Sequence, residues 1–317
     1  MKANANIEST YKSKETEELI DILFYRPFGY LIAKLSYRLK LTPNQVTVVS
    51  IILGILAGHL FFYNSFSLNV IGIFLLILAN ALDSADGQLA RMTDMKSRYG
   101  RILDGFGGNI WFVSIYLHLF FRLINHGYSP LFFIILLLAG LSHSFQSAYA
   151  DYFRNHFLFF IYGKSYCEID DPIVLKEEYK NLSWRKNFVK KFLMRVYINY
   201  TLQQQLFSKN LQNLYLTINR LFPERIPEYV NQLYHLKNKP LVKYFNILTT
   251  NTRMIILFIS ILISEPVLYF IFELTILNLL FIYMVIRHEL NSKEIDFLIK
   301  KNLFIVNQNT FNKATSG

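Results

Sequence analysis

One cysteine, Cys167, occurs in 317 residues. That excludes an internal disulfide and a cysteine-built metal framework, and leaves Cys167 as an incidental thiol. Charge is also scarce. Charged residues make up 17% of the chain, against 53% hydrophobic and 16% aromatic. No long low-complexity tract accounts for that apolar excess, and no internal repeat of fixed period is found. The opening MKANANIEST is polar with no apolar run behind it, so no cleavable signal peptide is expected.

What is present is a series of runs almost free of charge: Val46 to Tyr63, Leu68 to Leu82, Ile110 to Phe121, Leu131 to Leu141 and Met254 to Ile286. The last is interrupted by Glu265-Pro266 and Glu273 and reads as two helices. A spanning helix needs ~20 mainly apolar residues. With their flanks the runs predict six spans, at 44–64, 67–91, 101–123, 129–152, 253–265 with a short extension, and 267–287. The expected fold is all-α: a polytopic membrane protein with six transmembrane helices, an interfacial N-terminal helix and a helical cytosolic insertion. Residues 16–40 mix Tyr, Phe, Lys and Arg as an amphipathic helix pair broken near Pro27, suited to lying in the interface. The expected divisions are an N-terminal interfacial segment 1–41, spans one to four at 42–162, a basic insertion 163–252, spans five and six at 253–288, and a tail 289–317. For the insertion, a lid or headgroup-recognition element and a peripheral helical subdomain or oligomer contact both stay open.

The formal charge of +11 is unevenly placed. With the N-terminus in the cytosol, only Arg122 of the 33 Lys and Arg falls near an outer connection. This obeys the positive-inside rule for an even number of spans, with both termini cytosolic. It makes anionic lipid headgroups, rather than nucleic acid, the partner of the basic charge. Before the first span, LTPNQVT offers Thr42 as helix cap, Pro43 for the first turn and Gln45 to complete a capping box.

Three acids break the apolar pattern. Asp83, Asp86, Gly87, Ala90 and Arg91 stand at i, i+3, i+4, i+7 and i+8, one stripe of the second span. Gly100, Asp104 and Gly108, at i, i+4 and i+8, form a stripe of the third. The short link makes the two helices antiparallel neighbours, so the stripes can meet at the cytosolic end. Three converging carboxylates repel one another and lose hydration unless a cation joins them. Hard oxygen ligands suit magnesium, manganese or calcium. Gly87 and Gly100 leave room for a bulky ligand to reach the backbone, and Arg91 offers a fork for phosphate. Together these point to a diphosphate site at the membrane surface.

The stretch resembles the CDP-alcohol phosphatidyltransferase family, whose pattern is D-x-x-D-G-x-x-A-R-x8-G-x3-D-x3-D. Asp83, Asp86, Gly87, Ala90, Arg91, Gly100 and Asp104 match it at the right spacings, and LTPNQVT looks like the family's usual entry. The likeness covers the membrane helices and leaves the insertion unmatched. It implies transfer of a substituted phosphate from a CDP-linked donor to an alcohol acceptor, with release of CMP. It implies two divalent ions, Mg2+ or Mn2+, on Asp83, Asp86 and Asp104. Gly87, Ala90, Arg91 and Gly100 would line the cytidine and phosphate pocket. A homodimer in a bacterial cytoplasmic membrane, with the site on the cytosolic side, is also implied.

The pattern fails at its last acid, usually both base and metal ligand, which here is Gly108. Asn109 points ~140° around the helix from Asp104, and an amide is a poor base. Three readings follow. In the first, another group serves: beside Asp104, the polar face His143, Gln146, Ser147, Asp151 and Arg154 of the fourth span offers His143 or Asp151. The plain alternatives are a hydrogen-bonded core histidine and an Asp paired with Arg154 or a nearby Lys. In the second, an acidic or metal-oriented acceptor needs no protein base. In the third, the chain is a non-catalytic relative that binds a CDP-lipid or nucleotide. A transporter would carry its charges at the midplane, not at one face.

Overall fold

A computed structural model describes residue 13 and residues 15–315, with side chains described through Lys301. No strand occurs among the described residues, as expected for an all-α chain. Six stretches are long and apolar enough to cross a membrane: Pro43–Leu60, Phe66–Thr93, Arg98–Asn125, Phe132–Tyr162, Glu228–Leu262 and Val267–Lys301. The protein is an integral membrane protein.

Helix α1 (Arg26–Arg38) follows a π-helical turn at Asp21–Tyr25. Tyr25 and Arg26 both have right-handed helical backbone, so the helix runs on through this turn, and Pro27 lies within it rather than at a break between two helices. Helix α2 (Pro43–Leu60) begins at the capping box: Thr42 N donates to Gln45 Oε1 at 2.8 Å, and Gln45 N donates to Thr42 Oγ1 at 3.4 Å. Helix α3 (Phe66–Thr93) ends at Asp94, whose φ of 57° turns the chain out of the helix. Three residues later Ser97 caps α4 (Arg98–Asn125) by accepting from Gly100 N at 2.9 Å. This tight link sets α3 and α4 antiparallel.

Helices α2, α3 and α4 pack closely because small residues line their contacts. A Cβ on Gly54 would lie 2.1 Å from the Trp111 ring, so only glycine lets α2 approach α4 there. Ser50 Oγ donates to Ala79 O at 2.8 Å, tying α2 to α3.

Helix α5 (Phe132–Tyr162) runs ten residues past the expected end at 152. Its aromatic end packs on α9 (Glu228–Ile247). Phe153 stacks on Phe245, and Phe160 on Tyr234, each at 4.0 Å between centroids. Between them lie α6 (Pro172–Asn181), α7 (Phe188–Leu206) and α8 (Lys209–Leu221). Helix α7 packs against α4, α5 and α6, and α8 against the last helix. Helix α10 (Thr250–Leu262) follows α9 after a break at residues 248–249, and the fifth candidate span takes in both. It thus includes residues 228–252, which composition groups with the insertion.

Helix α11 (Val267–Phe272), a π-helical turn at Glu273–Leu277 and α12 (Asn278–Thr315) complete the fold. Arg253 and Glu273, both without exposed side-chain area, pair at 3.1 Å. Gln146 accepts from Arg253 and donates to Asn278 Oδ1 at 2.8 Å. Part of the polar face of the fourth span therefore satisfies a buried ion pair.

Candidate active site at the α3–α4 link

Asp83 and Asp86 stand one turn apart on α3, and Asp104 faces them from α4. Carboxylate oxygens of all three lie within 4.8 Å of one another. Asp86 is buried at 3% exposure and accepts from the Thr47 hydroxyl of α2. Asp83 and Asp104 are half-buried. Three oxygen donors of one sign at this separation fit a hard divalent cation, which cancels their repulsion and replaces lost hydration. No mixed soft donor set is present in the cluster, so a thiophilic metal has no preference there.

Asp86 and Asp104 line a cavity of about 750 Å3. Gly87, Ala90, Arg91 and Gly100 line it too, so the matched residues of the motif other than Asp83 share one cavity. At Gly100 a Cβ would meet Ser97 Oγ at 3.0 Å and Asn44 Oδ1 at 3.1 Å, tighter than an ordinary contact. The Arg91 guanidinium lies 3.5 Å from where a Gly87 Cβ would stand, and its Nε is buried with no hydrogen-bond partner. A buried donor left unpaired costs about 1–3 kcal/mol, and Nε of Arg98 and of Arg101 is left in the same state.

Gly108 lies on α4 one turn beyond Asp104, and a Cβ there would meet nothing within 4 Å. The carboxylate expected at this position is missing, but the space for it is not. Asn109 turns back on its own helix, donating to Gly105 O at 2.8 Å. His143 is buried away from the cavity, where its Nδ1 lies 3.1 Å from Tyr116 Oη and its ring 4.3 Å from that of Phe112. Asp151 accepts from Gln204 Nε2 of α7 at 3.2 Å and lies 3.9 Å from Arg154. The structure therefore joins Asp83, Asp86, Gly87, Ala90, Arg91, Gly100 and Asp104 in one place and leaves His143 and Asp151 outside it.

Several cavity residues carried no signal as site residues. Asn44 and Thr47 belong to the helix entry, legible as a cap and not as a wall. Arg98 and Arg101 flank Gly100 but fall outside the motif. The far wall, Ser165 to Asp170, follows α5 and comes from outside the membrane helices. Its thiol, Cys167, is pushed by burial up to about 11.

Residues 40–151 match the CDP-alcohol phosphatidyltransferase family. The resemblance of the motif holds for this stretch, about a third of the chain, from just before α2 to Asp151 in α5. An archaetidylinositol phosphate synthase of Pyrococcus horikoshii is 33% identical over 73 residues. These are 23% of this chain and 37% of that protein, so the chain spans little more than a third of that relative's length. The phosphatidyltransferase match contains the carboxylate cluster and the wall built by α2, α3 and α4. The opposite wall at 165–170 lies outside it.

Proposed function

We propose that the protein transfers a substituted phosphate from a CDP-linked donor to an alcohol acceptor at the cytosolic membrane face and releases CMP. One observation carries this: three carboxylates converge at the wall of a cavity of about 750 Å3 that Arg91 also lines. Asp83, Asp86 and Asp104 would hold Mg2+ or Mn2+, whose chemistry is to neutralise charge on the phosphates as the bond to CMP breaks. Arg91 binds phosphate oxygen through its fork. Gly87, Ala90 and Gly100 keep the backbone open to cytidine and diphosphate. The acceptor hydroxyl oxygen attacks the phosphorus that carries the substituent, the P–O bond to CMP breaks, and the hydroxyl proton passes to a base. Of Asp104, Asp151 and His143, only Asp104 lines the cavity, and it accepts the proton.

Gly108 favours a second reading. With one ligand fewer, a second ion is weakly held, and a non-catalytic relative that binds CDP-lipid or nucleotide needs no base. The basic inner faces support a bacterial cytoplasmic membrane with termini and site on the cytosolic side, and the family likeness supports a homodimer.

The test is a CMP-release assay on purified protein, with CDP-diacylglycerol or a CDP-alcohol, a panel of acceptors, and Mg2+ or Mn2+. Metal-dependent CMP release, lost in Asp86→Asn, is expected. Metal-dependent CDP binding with no CMP from any acceptor would replace the transferase with the binding protein.

A further inference from the structure

Three arginines line the cavity, Arg91, Arg98 and Arg101, and the Nε of each is buried without a hydrogen-bond partner. Two of them also converge through their terminal nitrogens, Arg98 and Arg101, on a single carboxylate from the far wall. Arg98 Nη2 donates to Asp170 Oδ1 at 2.9 Å and Arg101 Nη2 to Asp170 Oδ2 at 2.8 Å. Tyr197 Oη of α7 donates to the same Oδ2 at 2.6 Å. Arg98 also grips Glu178 of α6 through both oxygens, at 2.7 and 2.9 Å, and Arg101 meets Glu168 at 3.4 Å. Burial pushes the Tyr197 hydroxyl up, so it keeps its proton and stays a donor. The remaining lining cation, Lys96, is solvent-exposed.

An isolated exposed ion pair contributes little. This arrangement is different. Two guanidiniums and a tyrosine share one carboxylate that is 19% exposed, and the carboxylate is anchored on its own chain. A tethered group competes at an effective concentration on the order of mM or more. Two arginines aimed at one point in a cavity are the usual fork for a phosphate. Here that place is already filled by Asp170, with Glu168 and Glu178 adding negative charge around it.

Resting on the transferase reading, we infer that the acceptor is an alcohol without a phosphate group, and that Asp170 sets this specificity by occupying Arg98 and Arg101. A phosphorylated acceptor would have to expel Asp170 and then face Glu168 and Glu178. Like charges brought together in an interface cost several kcal/mol. An uncharged polyol meets no such barrier and can accept or donate hydrogen bonds along the same wall.

The experiment has two arms. In the first, purified protein with magnesium and CDP-diacylglycerol is offered matched pairs: glycerol against glycerol phosphate, and inositol against inositol phosphate. The unphosphorylated member of a pair should have the higher kcat/KM by roughly tenfold or more. Asp170→Asn should narrow that ratio by a similar factor, chiefly through KM of the phosphorylated member. Wild-type preference for phosphorylated acceptors would overturn the inference, even if the variant does not fold. In the second arm, inorganic phosphate is titrated calorimetrically into metal-free protein. Saturable binding that Arg98→Gln removes should be absent in the wild type up to the mM range and present in Asp170→Asn. Saturable wild-type binding that Arg98→Gln removes would overturn the inference. If no acceptor yields CMP, the transferase reading fails, while the phosphate titration still decides the role of Asp170.

Discussion

A glycine at 108 removes a carboxylate without closing the space around it. Gly108→Asp should therefore fold like the wild type and tighten Mg2+ or Mn2+ binding, measured by calorimetry; unchanged affinity would mean that position 108 does not face the ions. Asp86→Asn removes a cluster oxygen that Thr47 orients, and metal-dependent nucleotide binding should vanish. Unchanged binding would sink the site. His143→Ala and Asp151→Asn should keep CMP release per folded molecule, because both groups are held by partners outside the cavity. Loss in either would return the base to α5. Cys167 serves as a built-in reporter. With its thiol pushed up to about 11, the reactive thiolate is scarce at neutral pH. Maleimide labelling should be slow at pH 7, rise steeply towards pH 11, and slow again when CDP and magnesium fill the cavity. Labelling that ignores the nucleotide would put the ligand elsewhere.

At the scale of elements, much of the site was legible because helical periodicity is a local property. The capping box at Thr42, the stripes of Asp83 to Arg91 and Gly100 to Asp104, and the short link between them all follow from spacing along the chain. Thr42→Ala should cost about 1 kcal/mol, the usual worth of a helix cap, visible as a lower Tm in detergent. Gly54→Val should cost more, since its side chain would enter the Trp111 ring. Element ends were less legible. Helix α5 extends to Tyr162 because Phe153, Phe157 and Phe160 find partners on α9, a distant segment that hydropathy along α5 does not reveal. The extent of α9 was less legible for a similar reason: its charged and amide-bearing face lowers local hydropathy, while Val230, Tyr234 and Phe245 are buried against other helices.

Across the whole molecule, the buried Arg253–Glu273 pair joins α10 to the π-helical turn before α12, and through Gln146 to α5. Glu273→Gln leaves Arg253 uncompensated and should destabilise by roughly 3–5 kcal/mol. The Arg253→Met, Glu273→Leu double variant should recover most of that loss in a thermal melt. The all-α membrane class, the six apolar stretches and the motif from Asp83 to Asp104 were legible along the chain. Those depend on composition and on residues a few turns apart. What faces that motif came only from the packing of the helices. That packing seated His143 and Asp151 among their own partners, and it brought residues 165–170 back over the α3–α4 link. It also set Asp170 between Arg98 and Arg101. Contacts between groups about 70 residues apart depend on how helices pack, and the spacing of one helix carries no record of its neighbour.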